Sequence, residues 1–296
     1  MLLLAPVAAL LASAGWATGI VLAQRPARAL GAFEFTRVQL VSCFGILAVI
    51  CTVLGLWQSV DWGFWPAFVV STAIGIFAGN LAMIACLRRG GPRRTELMLA
   101  LKAPIIGAMA FVWLGEIPHL SDLLGAAVAL AGIALAILFG TDARSKRDTL
   151  EGSLLVVIML GLLATGCMAL GFLVLKPALQ AGLDPLAASA VRLGGAALII
   201  SVIGLWPSAI FRSEAEMTPS LLAQTILPGF IGYVLSSSLL LFALAHFDAG
   251  IATVLASLSP ILVIAIVGLR DRLIPPWPAI VGAALAVLGS AIIVLA

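Results

Sequence analysis

The sequence predicts an all-α integral membrane protein: ten transmembrane helices, built as two inverted five-helix repeats around a central cavity. Three observations carry that expectation. Hydrophobic residues make up 63% of the chain and charged residues 10%, against roughly half and about a quarter in soluble domains. Ten apolar stretches each approach the roughly 20 residues that a helix needs to cross the hydrocarbon core of a bilayer. The last five stretches echo the first five at nearly constant spacing, which marks an internal duplication.

The spans are expected at 2–23, 32–56, 64–87, 95–114 and 119–140, then at 151–175, 185–206, 220–245, 251–269 and 277–295. The first has small residues after Leu2–Leu4, as a secretory leader does, but no basic start, and nine spans follow it; it counts as structure. Its Gly15 and Pro26 return in the sixth span as Gly166 and Pro177. Arg37, near the start of the second, returns in the seventh as Arg192. The third and eighth share glycines, Gly75 and Gly79 against Gly229 and Gly232. The fourth and ninth carry the clearest echo, Ala103–Ile106 against Ser259–Leu262, which sets Pro104 and Pro260 156 positions apart. In the fifth and tenth, Gly125 and Gly132 match Gly282 and Gly289. The charge-rich stretch Thr141–Glu151 is the natural linker, dividing the chain into a first repeat at 1–145 and a second at 146–296.

Five spans per repeat is an odd number, so the second copy must run through the membrane in the opposite sense to the first. Thirteen of the 16 basic residues fall in the odd-numbered loops or beside them. Positive loops stay in the cytoplasm, so both termini are expected outside. Trp57, Trp62, Trp65, Trp113, Trp206 and Trp277 sit at span ends, where an indole favours the membrane interface.

Several function classes are disfavoured. No basic block flanked by aromatics stands clear of the membrane to grip a nucleic acid. Cys43, Cys51, Cys86 and Cys167 lie inside apolar spans without metal-ligand spacing, so neither a metal nor a redox role is expected. No Walker motif is present for ATP hydrolysis, and no cofactor is expected. An intramembrane enzyme would need a base at depth, whereas His119 and His246 lie at span ends without a G-x-S-x-G or H-E-x-x-H context. A ten-span chain already encloses both halves, so a monomer is expected.

Residues that break the rules of a membrane interior are the candidates for binding. Lys102 lies about eight residues into the fourth span, and a charge near the bilayer centre costs about 3 kcal/mol on insertion scales. It either faces a wet cavity or snorkels to the cytoplasmic side. Its repeat counterpart is Leu258, so the charge breaks the internal symmetry. Trp16 sits deep in the first span, and Tyr233, the sole tyrosine, near the middle of the eighth; core packing explains either as well as substrate contact does. Asn80 is polar and deep in the third span, where helix–helix hydrogen bonding is the alternative. Ser236–Ser238 extends a polar strip one turn beyond Tyr233. Pro104, Pro260, Gly79 and Gly232 are the candidate hinges, since proline frees a helical carbonyl and glycine permits bending. The acids Glu34, Glu96, Glu116, Asp122, Asp184 and Asp248 all lie near span ends, none at the midplane where a proton-driven exchanger usually keeps one.

With these features together the chain resembles the drug/metabolite transporter superfamily, in its ten-helix EamA-type branch, over its whole length. The doubled Pro104 and Pro260, the sequence Leu114–Glu116, the paired glycines of spans five and ten, and Arg37 with Arg192 carry the resemblance. One departure is Arg270-Asp271-Arg272, which stands where a Gly-Glu pair is usual. Within the branch the chain is most similar to the aromatic amino-acid exporters. The resemblance implies a cavity formed by spans one to four and six to nine, drawing here on Trp16, Asn80, Lys102, Met168, Tyr233 and Ser237. It further implies alternating access and efflux of aromatic or bulky apolar amino acids across a prokaryotic cytoplasmic (inner) membrane. Purines, sugar derivatives and lipophilic cations are the rival cargoes, and Lys102 would repel the last.

Overall fold

The structure is a computed structural model that describes residues 4–139, 152–206, 215–259, 261, 262, 266 and 276–295. Among these no strand occurs, and helices α1 (Leu4–Leu30) and α2 (Ala32–Val53) open the chain. Gly31 alone separates them, at a φ of 82° that favours glycine. The third span begins as α3 (Trp65–Val70), passes through a π-helical stretch at Ser71–Ala78, and continues as α4 (Gly79–Ala100). A loop expected between the third and fourth spans is reduced to one residue. Gly91, with a φ of 75° and a ψ of 172°, breaks α4 into two helices that belong to successive spans.

The fourth span breaks again at Leu101, just before α5 (Lys102–Leu114). Pro104 has no N–H to offer the carbonyl of Ala100 four residues earlier, and Leu101 closes a tighter bond to Met98 instead. The ninth span repeats this arrangement. There α12 (Ala249–Ala256) ends in a turn where Ser257 donates to Val254. Pro260 itself lies outside the described residues, as do the 141–151 linker and Arg270-Asp271-Arg272.

The remaining helices are α6 (Leu120–Phe139), α7 (Leu154–Leu173), α8 (Lys176–Gln180), α9 (Pro185–Gly204), α10 (Pro219–Gly229), α11 (Ser237–His246) and α13 (Trp277–Leu295). A second π-helical stretch, Phe230–Ser236, joins α10 to α11. Both π stretches thus fall in the third and eighth spans, which the repeat pairs. Starts are capped by side chains: Asp184 accepts from Leu186 and Ala187, and Thr218 from Leu221, which satisfies amides that a helix leaves open.

Packing is inside-out relative to a soluble protein. The core is rich in small residues such as Ala9, Ala12, Ala169, Ala190 and Ala252, while Val112, Leu205, Ile117 and Leu288 point outward. Small residues let helices in lipid approach closely. Helices α6 and α13 show this most plainly, lying antiparallel and packed mainly on each other. A Cβ added to Gly132 would stand 2.6 Å from the carbonyl oxygen of Gly282, and one added to Gly282 would meet Gly132 the same way. The paired glycines of the fifth and tenth spans are therefore contact glycines.

Candidate functional site

Between the halves lies a cavity of about 120 Å³, whose described lining residues come from spans one to four and six to nine and none from α6 or α13. One water needs roughly 10–15 Å³ measured this way, so the space admits a small organic solute. All six residues expected to bind substrate reach it: Trp16, Asn80, Lys102, Met168, Tyr233 and Ser237. Of the candidate hinges, Gly232 lies in the wall within the second π stretch, and Gly79 follows directly on the first.

Lys102 is buried, and its ammonium stands 4.2 Å from the centre of the Trp16 ring and 5.5 Å from that of Phe172. Trp16 and Phe172 meet edge to face, with centroids 6.2 Å apart. Such rings present a negative face to a cation, an attraction worth about 2 kcal/mol where water is excluded. Asn80 donates to Thr36 at 3.4 Å, while its carbonyl oxygen has no partner. The Tyr233 hydroxyl is also buried without a partner.

The sequence suggests one cation in this chamber, and the described lining residues include two. Arg192 is 1% exposed and seven residues into α9, with its guanidinium carbon 4.4 Å from the centre of the Phe172 ring. Its Nη1 donates to Ser237 at 3.4 Å, and its Nε and Nη2 have no hydrogen-bond partner. Being near the start of its span, Arg192 read as a marker of the helix end; the signal for its depth was the lack of any acid close to it in sequence. Phe172 and Gln39, which also line the cavity, carried no such signal. Gln39 is buried and donates to the Thr225 carbonyl at 3.0 Å. Among the described residues that line the cavity there is no Asp or Glu.

The cavity runs toward one end of the bundle. Its lining on α1 extends from Trp16 to Ala23, and on α4 from Asn80 to Leu87, toward the turns at Gly31 and Gly91. The opposite end is bolted across the halves. Glu116, just past α5, pairs with Lys176 at the start of α8 and accepts from the Ala249 amide at 2.8 Å. Lys176 donates to the Phe247 carbonyl at 2.9 Å, and the Asp184 amide donates to Ser59 at 3.0 Å. Beside them Asp248 reaches solvent on one side; even so, desolvation by packing raises its pKa, and the negative charge of Glu116 adds to the shift.

The family model described as the EamA-like transporter family matches residues 3–138 and again 155–295. A solved crystal structure of a protein 15% identical to this chain superposes with a TM-score of 0.77, covering 97% of this chain and 95% of the other. That likeness concerns the fold. Among curated proteins nothing matches.

Proposed function

Because this chain belongs to the EamA-like transporter family, within the drug/metabolite transporter superfamily, we propose that it exports small amphiphilic solutes, foremost aromatic or bulky apolar amino acids. The observation that carries this reading is the cavity itself, where cations and rings lie side by side between two copies of one fold. A carboxylate suits Lys102 and Arg192, and an apolar side chain suits Met168, Phe172 and Trp16. Purines, sugar derivatives and lipophilic cations fit less well; the last would meet like charge.

The proposed mechanism is alternating access. The halves rock about the cavity, with Gly79, Gly232, Pro104 and Pro260 absorbing the bend and the Glu116–Lys176 bridge releasing when the closed end opens. No ATP chemistry is invoked, and the chain works as a monomer. Positive-inside reasoning places the open end toward the cytoplasm of a prokaryotic cell, with both termini outside.

Counterflow of radiolabelled phenylalanine in proteoliposomes, with and without a proton gradient, tests the reading. Exchange above protein-free vesicles is expected, and Lys102→Ala is expected to slow it by about tenfold, the weight of one interaction with a charged group. Unchanged flux in the variant would remove Lys102 from the site, and no exchange of any amphiphile would end the transport reading.

A further inference from the structure

We propose that a recess outside the transport cavity holds the phosphate of an anionic phospholipid, taken from the leaflet that meets the cavity's open end. The inference goes beyond the transport reading and does not depend on which solute is carried. It stands on a second hollow between the halves, of about 360 Å³, walled by the last turns of α1 and by α10.

Val21, Gln24, Arg25 and Arg28 follow one another at i, i+3, i+4 and i+7 along α1, a spacing that sets the four side chains on one face. All four line the recess, and its described charged residues are the two arginines. Arg28 is half-buried, and its Nε and Nη2 are buried with no hydrogen-bond partner. One turn earlier, Nε2 of Gln24 is left the same way. A buried donor without an acceptor is costly, most of all on a charged group, and three on one face make a donor set that calls for an anion. The Nε–Nη2 edge of a guanidinium matches two oxygens of a phosphate at once. Arg25 is exposed and adds a second positive charge. On the α10 side, Gln224 donates to Ser220 at 3.0 Å.

Depth decides where the phosphate comes from. From Leu4 to Arg28, α1 rises about 36 Å at 1.5 Å per residue. The hydrocarbon core of a bilayer is about 30 Å thick, so Arg28 stands at the level of the headgroups. Deeper on the two helices, Leu22 and Leu227 line the same recess and are exposed, which offers acyl chains an apolar surface. A soluble phosphate uses only the arginines, whereas a phospholipid uses both features. Basic pockets at this depth favour anionic headgroups, and a zwitterionic one brings its own cation up to the arginines. Pro228 lines both this recess and the transport cavity. The lipid therefore sits beside the solute's chamber, between one helix of each half.

The test measures binding to the delipidated protein in detergent by native mass spectrometry, using dioleoylphosphatidylglycerol, dioleoylphosphatidylcholine and inorganic phosphate. The anionic lipid is expected to bind at least about tenfold more tightly than the zwitterionic one, with phosphate at background. Arg28→Gln should weaken the anionic lipid by about tenfold, as the loss of one hydrogen bond from a charged group warrants. Arg25→Gln, at an exposed position, should weaken it by about fivefold even if Arg28→Gln does not fold. Arg89→Gln removes an exposed arginine at the same end but outside the recess, and should change nothing. Equal binding of the two lipids, or an equal loss in Arg89→Gln, would reduce the arginines to an unspecific basic rim and overturn the proposal. Inorganic phosphate binding as tightly as the anionic lipid would assign the recess to a soluble ion and overturn it too. Solute exchange in proteoliposomes is a separate measurement, so the transport reading stands or falls independently.

Discussion

Glu34–Arg37 stands near the start of the second span and Ser189–Arg192 near the start of the seventh, yet the two segments serve their halves differently. In the first, the arginine is 43% exposed and its charge is spent on a neighbour one helical turn away. In the second, a neutral serine stands three residues before the arginine, which is buried and lines the cavity. At Lys102 and its repeat counterpart Leu258 the charge is found in the first half only. Duplication supplied the scaffold, and divergence at a few positions supplied a chamber with one cation from each copy. Symmetry here sets where residues stand, while departures from symmetry set what they do.

The comparison breaks most directly by removing each arginine in turn. Arg192→Gln should cut transport by about a hundredfold, since two hydrogen bonds from a charged group contribute about 1.5 kcal/mol or more each. Arg37→Gln should stay within about twofold, because an exposed ion pair contributes about 0–1 kcal/mol. Equal losses in a proteoliposome flux assay would show that the buried arginine matters no more to transport than the exposed one.

A second contrast sets the local Glu34–Arg37 pair against the Glu116–Lys176 bridge, which joins the halves. Lys176 is 2% exposed and Glu116 is 15% exposed, so Lys176→Met strands a carboxylate in a dry setting. Breaking one side of a buried pair costs about 3 kcal/mol at the low end, which corresponds to a fall in Tm on the order of 6–12 °C by thermal shift in detergent. If Tm holds, the bridge does not secure the closed end.

The smallest effect concerns Asp248 beside that bridge. Its pKa is raised in the folded protein, so its charged form is disfavoured there, and stability is lost as pH climbs from the unfolded value of about 4 through the folded one. Asp248→Asn should therefore raise Tm at pH 7 by on the order of 1 °C, and the gain should vanish below about pH 4. A gain that persists in acid would point to the helix start instead of to charge.

Much of this was legible in the chain. The apolar lengths and the echo of Pro104 in Pro260 marked ten spans in two copies, and the family match covers both halves. Lys102, Trp16, Asn80 and Tyr233 stood out because a polar or amphipathic group at depth needs a reason. Arg192 was harder. Position along a span suggested the interface, and only packing of the wall around it shows that a residue about 10 Å into a helix is sealed from water. Phe172 is one of 13 phenylalanines, so nothing in composition could single it out. The π stretches at Ser71–Ala78 and Phe230–Ser236 were invisible because a π turn adds one residue without changing which residue types prefer it. The turn at Leu101, by contrast, followed from Pro104.

The stacking of Lys102 on Trp16 also makes the chamber readable by light. An ammonium 4.2 Å above an indole biases the electric field across that chromophore, and a negative guest that draws the ammonium away alters its emission. The other six tryptophans sit at the ends of spans, far from the guest, and supply a steady background. Occupancy could thus be followed in the native sequence, with no dye attached.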